Sequence, residues 1–97
     1  MPKAYWVVTY REIKDPAKLA AYAKLAPEAL KPYGVRYICR GMPEAVYEHG
    51  IKERVVVSEF PSLEKAIAGH ECAAYAKAVE ALGDGAVRDI RIMQGLE

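Results

Sequence analysis

Hydrophobic positions in the first third of the chain change from a strand-like to a helical period. Residues 5–10, Tyr-Trp-Val-Val-Thr-Tyr, form a β-branched and aromatic run that predicts a strand. Asp15 is a suitable helix cap and Pro16 fits a first helical turn, so a helix is predicted to begin there. Apolar residues then recur at helical spacing, at Leu19, Tyr22, Ala26 and Leu30. Pro27 predicts a kink or a restart within this helix, and Gly34 predicts its end.

The middle of the chain is predicted to form two strands joined by a connection that is longer than a tight turn. Residues 35–39 predict the second strand, and residues 45–48 predict a short extension of it after a Gly-Met-Pro break. His49 and Gly50 mark a turn. Residues 54–60, Arg-Val-Val-Val-Ser-Glu-Phe, are the clearest strand in the sequence.

The last third predicts an interrupted helical region and a final strand. Ser62 is a candidate helix cap after the third strand. Two helical faces follow, Leu63, Ile67 and His70 on the first, and Tyr75, Val79 and Leu82 on the second. Residues 69–72 interrupt the region and residues 83–85, Gly-Asp-Gly, end it. Residues 87–94 supply the final strand, in which apolar and polar positions alternate.

The predicted order is β-α-β-β-α-β, which is typical of a ferredoxin-like α+β fold with helices on one face of an antiparallel sheet. We expect a single domain over residues 1–97. Both faces of the sheet carry apolar residues, with Val7 opposite Val8 and Val57 opposite Val56. Since two helices cover only one face, we expect a homodimer that buries the other.

Composition and charge narrow the classes of partner. The hydrophobic fraction of 53% and charged fraction of 28% are ordinary for a globular protein. Fourteen Lys and Arg against thirteen Asp and Glu give a net charge of +1 with interspersed signs, which argues against nucleic-acid and membrane partners. No apolar segment is long enough for a signal peptide or membrane span, so a cytoplasmic location is expected. Cys39 and Cys72 have neither C-x-x-C nor metal-ligand spacing and are expected to be reduced.

Three segments carry a resemblance to a known family. Residues 34–41, Gly-Val-Arg-Tyr-Ile-Cys-Arg-Gly, are similar to a Gly-Gly-Arg-Phe-Leu-Ala-Arg-Gly segment of DUF1330, and residues 54–62 and 83–92 are similar to other parts of it. Val35 replaces the second glycine, and of the family's Ser-Pro-Glu-Tyr type of segment only Tyr75 is kept. The resemblance implies the dimeric α+β barrel superfamily, with two sheets packed face to face and a cleft between helix and sheet. Relatives in that superfamily include cofactor-independent monooxygenases, small-ring isomerases and ligand-sensing modules, so the fold selects no single chemistry.

Sequence motifs for common cofactors are absent. The chain has no phosphate loop, dinucleotide fingerprint, zinc-protease motif or serine-nucleophile elbow. His49 and His70 are its only histidines, which leaves few ligands for a metal. We therefore expect a colourless protein without metal, flavin or nicotinamide.

Charged residues on the middle strands are the first candidates for a site. Arg40, Glu48, Arg54 and Glu59 stand where charges are unusual unless paired or at an edge. One interpretation is a set of ion pairs across the hairpin. The other is a ligand site in which Arg40 or Arg54 binds a carboxylate, with Glu48 and Tyr75 as further contacts.

His70 is the candidate acid or base. Its spacing from Leu63 and Ile67 directs it toward the sheet, where Glu59 is a candidate catalytic partner in a cleft under the second helix. The alternative is a structural histidine near a helix end.

The expected function is small-molecule binding, with a polar or carboxylated organic compound as ligand. If the protein is catalytic, we expect a cofactor-independent enzyme of monooxygenase or isomerase type. The first alternative is a non-catalytic ligand-binding or regulatory module. RNA binding is a remote third class, since RNA-recognition domains share the element order. Their third strand requires a basic, glycine- and aromatic-rich motif that residues 54–60 lack.

Overall fold

The computed structural model describes residues 2–96. In this part of the chain the elements are β1 (Ala4–Ile13), α1 (Pro16–Leu30), β2 (Arg36–Gly41), β3 (Val55–Phe60), α2 (Leu63–Glu71), α3 (Ala73–Leu82) and β4 (Ala86–Gln94). The sheet order is β2-β3-β1-β4 and every neighbouring pair is antiparallel. The predicted ferredoxin-like α+β fold is therefore confirmed, with its second helical region divided into α2 and α3.

Local sequence explains where α1 begins and ends. The Asp15 carboxylate accepts hydrogen bonds from two backbone N–H groups of the first turn, at 3.0 and 3.3 Å. Of the predicted alternatives at Pro27, a kink or a restart, the restart does not occur, because α1 runs through Pro27 to Leu30. A proline there removes one backbone hydrogen bond, while the buried Leu30 keeps the last turn packed. A 3-10 turn over Lys31–Tyr33 follows and ends at Gly34, whose φ of 81° lies in the left-handed region.

The caps of α2 and α3 confirm the predicted interruption. The Ser62 hydroxyl accepts a hydrogen bond from the Lys65 amide at 3.2 Å and begins α2. Cys72 has extended backbone angles between the two helices, and its sulfur accepts from the Tyr75 amide at 3.4 Å. The second helical region therefore changes direction at Cys72.

The predicted strand extension over residues 45–48 is wrong. Residues 42–54 form an irregular connection, with a turn at residues 48 and 49. Pro43 lacks an N–H for strand pairing, and Glu48 has a φ of 54°, which a strand does not accommodate. The predicted turn beside Gly50 is confirmed by a 2.9 Å hydrogen bond from its amide to the carbonyl of Tyr47.

The two faces of the sheet differ in cover. The helix face carries Trp6, Val8 and Tyr10, all at most 4% exposed beneath the helices. The outer face carries Val7 and Val57, which pair across β1 and β3, together with Val55 beside Thr9. No helix of residues 2–96 packs over the outer face, but the connection between β2 and β3 reaches it, since Pro43, Val46 and Ile51 line a cavity together with Val55 and Asp89. No helix among these residues is long and apolar enough to cross a membrane.

Candidate functional site

A cavity lies between α1 and the helix face of the sheet, and we call it the α1 cavity. Its volume is about 40 Å³, which is enough to hold water or a small polar group. Its wall is mainly apolar, with residues such as Trp6, Val8 and Leu30. The polar side chains that line it are Tyr10, Tyr22, Tyr37, Arg40, Arg54, Ser58 and Arg88.

Strand register places two of these arginines on either side of one tyrosine. Tyr10 pairs with Arg88 across β1 and β4, and its amide donates to the carbonyl of Arg54 at 3.0 Å. Adjacent strands lie about 4.8 Å apart, so the backbones of Arg54 and Arg88 are about 10 Å apart with Tyr10 between them. The two guanidinium carbons lie 6.0 and 5.6 Å from the centroid of the Tyr10 ring.

Neutral tyrosines hold Arg88 in place. Its Nη1 donates to the Tyr10 hydroxyl and its Nη2 to the Tyr75 hydroxyl, both at 3.3 Å. The guanidinium also lies 4.4 Å from the centroid of the Tyr22 ring, a cation–π contact. Tyr22 and Tyr75 share a 2.7 Å hydrogen bond between their hydroxyls. Burial raises the pKa of Tyr22 above its usual range, so its phenol is protonated at neutral pH and leaves the charge of Arg88 uncompensated.

Arg54 and Arg40 have fewer partners. The Nε of Arg54 is buried, and no acceptor among residues 2–96 reaches it. Arg40 is exposed at the edge of the cavity, with its guanidinium carbon 4.8 Å from the centroid of the Tyr37 ring. A buried donor without an acceptor costs about 1–3 kcal/mol, so an acceptor entering the cavity would bind favourably at Arg54.

The α1 cavity carries positive charge without a counter-charge. No ion pair formed among residues 2–96 includes Arg40, Arg54 or Arg88, and no carboxylate lines the cavity. Guanidinium groups match carboxylates in bidentate geometry. The arrangement is suited to receiving a small anion.

The predicted ligand contacts are partly brought together. Arg40 and Arg54 line the α1 cavity, and Tyr75 reaches its border through the hydroxyl that binds Arg88. Glu48 lies in the exposed connection between β2 and β3 and does not line the cavity.

The predicted catalytic pair lies on opposite faces of the sheet. Glu59 is on the outer face, where its carboxylate is 3.3 Å from Lys3 and 3.8 Å from Arg36. His70 lies against the helix face, with its ring 5.6 Å from that of Trp6, and its side chain is 39% exposed. The structure therefore does not bring His70 and Glu59 together.

The predicted cleft under the second helix is filled, and the cavity lies under α1 instead. Small residues allow α2 to approach the sheet closely, since Trp6 donates from Nε1 to the carbonyl of Ala66 at 2.9 Å. A Cβ placed on Gly69 would come within 3.0 Å of Leu30 and 3.6 Å of Phe60. Packing at this density leaves no space for a ligand there.

Arg88, Tyr10 and Tyr22 were not among the predicted site residues. Alternation along the last strand is the signal that identifies Arg88, because it shares a face with Ile90 and Ile92, both packed against the core. A charged residue on an otherwise apolar inward face is unusual unless it is paired with another group of the protein or with a ligand.

Metal ligands do not cluster in the described part of the chain. Residues 2–96 contain no group of three or more His, Cys, Asp or Glu side chains that could hold a metal ion. The expected absence of metal, flavin and nicotinamide stays a prediction, which elemental analysis and an absorption spectrum address.

The fold and the cavity define a ferredoxin-like α+β protein whose helix–sheet cavity is lined by arginine and tyrosine. The sequence pattern of the family described as "Domain of unknown function (DUF1330)" matches residues 3–96. The chain belongs to this family, and the resemblance seen in its sequence is confirmed.

Solved structures share the fold at low sequence identity. A protein of unknown function from Rhodopseudomonas palustris is 14% identical with a TM-score of 0.76, over 99% of this chain and 84% of that one. SnoaB, a cofactor-independent oxygenase from Streptomyces nogalater, is 7% identical with a TM-score of 0.68, over 100% of this chain and 96% of that one. A nipsnap family protein with unknown function from Agrobacterium tumefaciens is 23% identical with a TM-score of 0.57, over 97% of this chain and 88% of that one. A search of curated proteins finds no match. These likenesses establish the fold alone.

Proposed function

We propose that this protein binds a small organic anion in the α1 cavity. The charged group of this anion is a carboxylate or a group of similar shape. The observation that carries the proposal is the convergence of Arg40, Arg54 and Arg88 on an apolar cavity that no carboxylate lines. The unpartnered Nε of Arg54 adds a specific donor for the ligand.

The size of the cavity limits what it encloses. A drug-sized ligand needs a pocket of roughly 300–1,000 Å³, whereas this cavity measures about 40 Å³. A ligand of few atoms therefore suits the cavity, and any larger body extends past the exposed Arg40 toward solvent. Compounds with a short apolar chain next to the anion fit this arrangement best.

Binding without turnover is the form of the function that we propose. General acid–base catalysis needs a group that gains or loses a proton near the working pH. Among residues 2–96, no carboxylate or imidazole lines the cavity, and burial raises the pKa of Tyr22 far from neutrality. A cofactor-independent enzyme of monooxygenase or isomerase type is the catalytic alternative, and consumption of a bound compound would favour it.

Trp6 provides a direct test of anion binding. It is the only tryptophan of the chain and lines the α1 cavity, so its fluorescence reports on occupancy. We expect propionate to change this fluorescence saturably, with a Kd on the order of millimolar, as suits a ligand of few atoms. Propionamide has the same shape without the charge, and we expect at least about tenfold weaker binding because a charge-assisted hydrogen bond is lost.

Constant ionic strength is the necessary control in this titration. Exposed charges are screened by salt, so sodium chloride is adjusted to keep the ionic strength at about 0.15 M throughout. Equal affinities for propionate and propionamide, or no saturable response to either, would contradict the proposal.

A substitution of His70 distinguishes the ligand site predicted around this residue from the α1 cavity. We expect His70→Ala to lower the free energy of unfolding by about 0.5–1.5 kcal/mol, because its ring packs against those of Trp6 and Tyr75. Propionate affinity should stay unchanged, since His70 does not line the cavity. Thermal melts and the fluorescence titration measure the two effects, and a loss of propionate affinity with unchanged stability would support the predicted His70 site instead.

A further inference from the structure

We propose that the ligand carries two separate anionic groups, as a short dicarboxylate does, and that Arg54 and Arg88 each bind one of them across the Tyr10 ring. This inference rests on the proposed anion binding and specifies its ligand class. The juxtaposition that supports it is the row Arg54, Tyr10, Arg88 on the helix face, with Tyr10 on β1, Arg88 on β4 and Arg54 immediately before β3.

Charge balance favours two anionic groups over one. Both guanidinium groups lie within 6.0 Å of the Tyr10 centroid, and neither has an ion-pair partner among residues 2–96. A carboxylate takes up one guanidinium in bidentate geometry. A monoanion bound at one of these arginines would leave the other without a counter-charge in a partly buried setting, which is unfavourable.

The donors that remain free point to the same conclusion. A guanidinium has five N–H donors, and the hydrogen bonds that Arg88 gives to Tyr10 and Tyr75 leave some of them free. Arg54 gives no side-chain hydrogen bond within the described chain, and its Nε is buried. Each arginine therefore retains enough donors for a carboxylate.

Tyr10 separates the two charges. It is 3% exposed and lies between the backbones of Arg54 and Arg88. Its hydroxyl is already engaged by Arg88, so the ring acts as a spacer between the two guanidinium groups. A ligand with two carboxylates joined by one to three methylenes reaches from one guanidinium to the other with its apolar part against the apolar wall of the cavity.

Matched acids and half-amides test the inference. Succinate and succinamate have the same chain length and nearly the same shape, but at neutral pH succinate has two charges and succinamate has one. Binding is followed by Trp6 fluorescence at constant ionic strength, with malonate, glutarate and inorganic phosphate as further probes. We expect succinate to bind about tenfold tighter than succinamate, the effect of one additional charge-assisted contact.

The variant Arg54→Gln tests whether Arg54 binds the second anionic group of the ligand. This variant removes the charge of a residue whose side chain has no hydrogen bond within residues 2–96, so we expect the fold to be retained. Arg36→Gln is the matched control, because it makes the same change on the outer face of the sheet, where Arg36 is 72% exposed. The preference for succinate should disappear in Arg54→Gln and persist in Arg36→Gln.

The possible outcomes separate this inference from the proposed function. Equal affinities for succinate and succinamate, with both above propionamide, would overturn the two-charge inference and leave anion binding intact. Tighter binding of phosphate than of any dicarboxylate would also overturn it, because phosphate is a single compact dianion. Absence of binding by every anion would overturn both.

Discussion

Replacing Trp6 with alanine is expected to lower the free energy of unfolding by about 3–5 kcal/mol, the cost typical of truncating a large buried aromatic residue. Trp6 is 2% exposed and lies at the centre of the core, with its ring 5.2 Å from the rings of both Phe60 and Tyr75. Its indole N–H also binds the carbonyl of Ala66 at 2.9 Å and so fixes α2 on the sheet. Since domains of this size are stable by about 5–15 kcal/mol, the variant should lie close to unfolding at room temperature.

Chemical denaturation followed by circular dichroism measures this loss. Tyr47→Ala is the matched control, because it also truncates an aromatic ring but at a position that is 80% exposed. We expect this control to change stability by no more than about 0.5 kcal/mol. Similar losses in both variants would contradict the placement of Trp6 in the core.

Val55→Lys is expected to convert a homodimer into monomers. The two-faced pattern of the strands predicts a homodimer, and we propose that its interface is the outer face of the sheet. The registers place the half-buried Val7, Val55 and Val57 there, where no helix of residues 2–96 covers them and only the connection between β2 and β3 borders Val55. Charged residues of this face pair with one another, such as Asp89 with Arg11 at 3.1 Å, and so do not oppose association. A stable interface buries about 1,200–2,000 Å² in total, and a lysine within it would bury an unpaired charge.

Sedimentation velocity at micromolar concentration measures the change in assembly. Val79→Lys is the matched control, because it introduces the same charge at a position on α3 that is 39% exposed and off the sheet. We expect this control to remain dimeric. A folded monomer of the unmodified chain at this concentration would contradict the proposed interface.

The fold was predictable from sequence because its signals are local. The caps Asp15 and Ser62 and the period of the strands determine the elements without reference to distant contacts. The failures lie where context overrides a local rule. Of the two alternatives predicted for Pro27, a restart does not occur, because the helix is packed on both sides of this residue. Residues 45–48 do not extend β2 despite their apolar character.

The site was predictable only in part, because a cavity depends on how closely each helix packs. Arg40 and Arg54 were found by the rule that charged residues on the middle strands of the sequence are unusual unless paired or at an edge, although β2 is an edge strand and Arg54 lies just before β3. His70 does face the sheet as predicted, since it contacts Trp6, but the small residues Ala66 and Gly69 close the space under α2. Helix-to-sheet distances are set by such tertiary contacts, and periodicity alone does not report them.

A crystal structure of the protein grown with succinate tests the central claim most directly. The account predicts ligand density in the α1 cavity, with one carboxylate within about 3 Å of the Arg54 guanidinium and the other within about 3 Å of that of Arg88, the usual lengths of such hydrogen bonds. Density for succinate only outside this cavity, or a cavity that stays without ligand at saturating succinate, would contradict it.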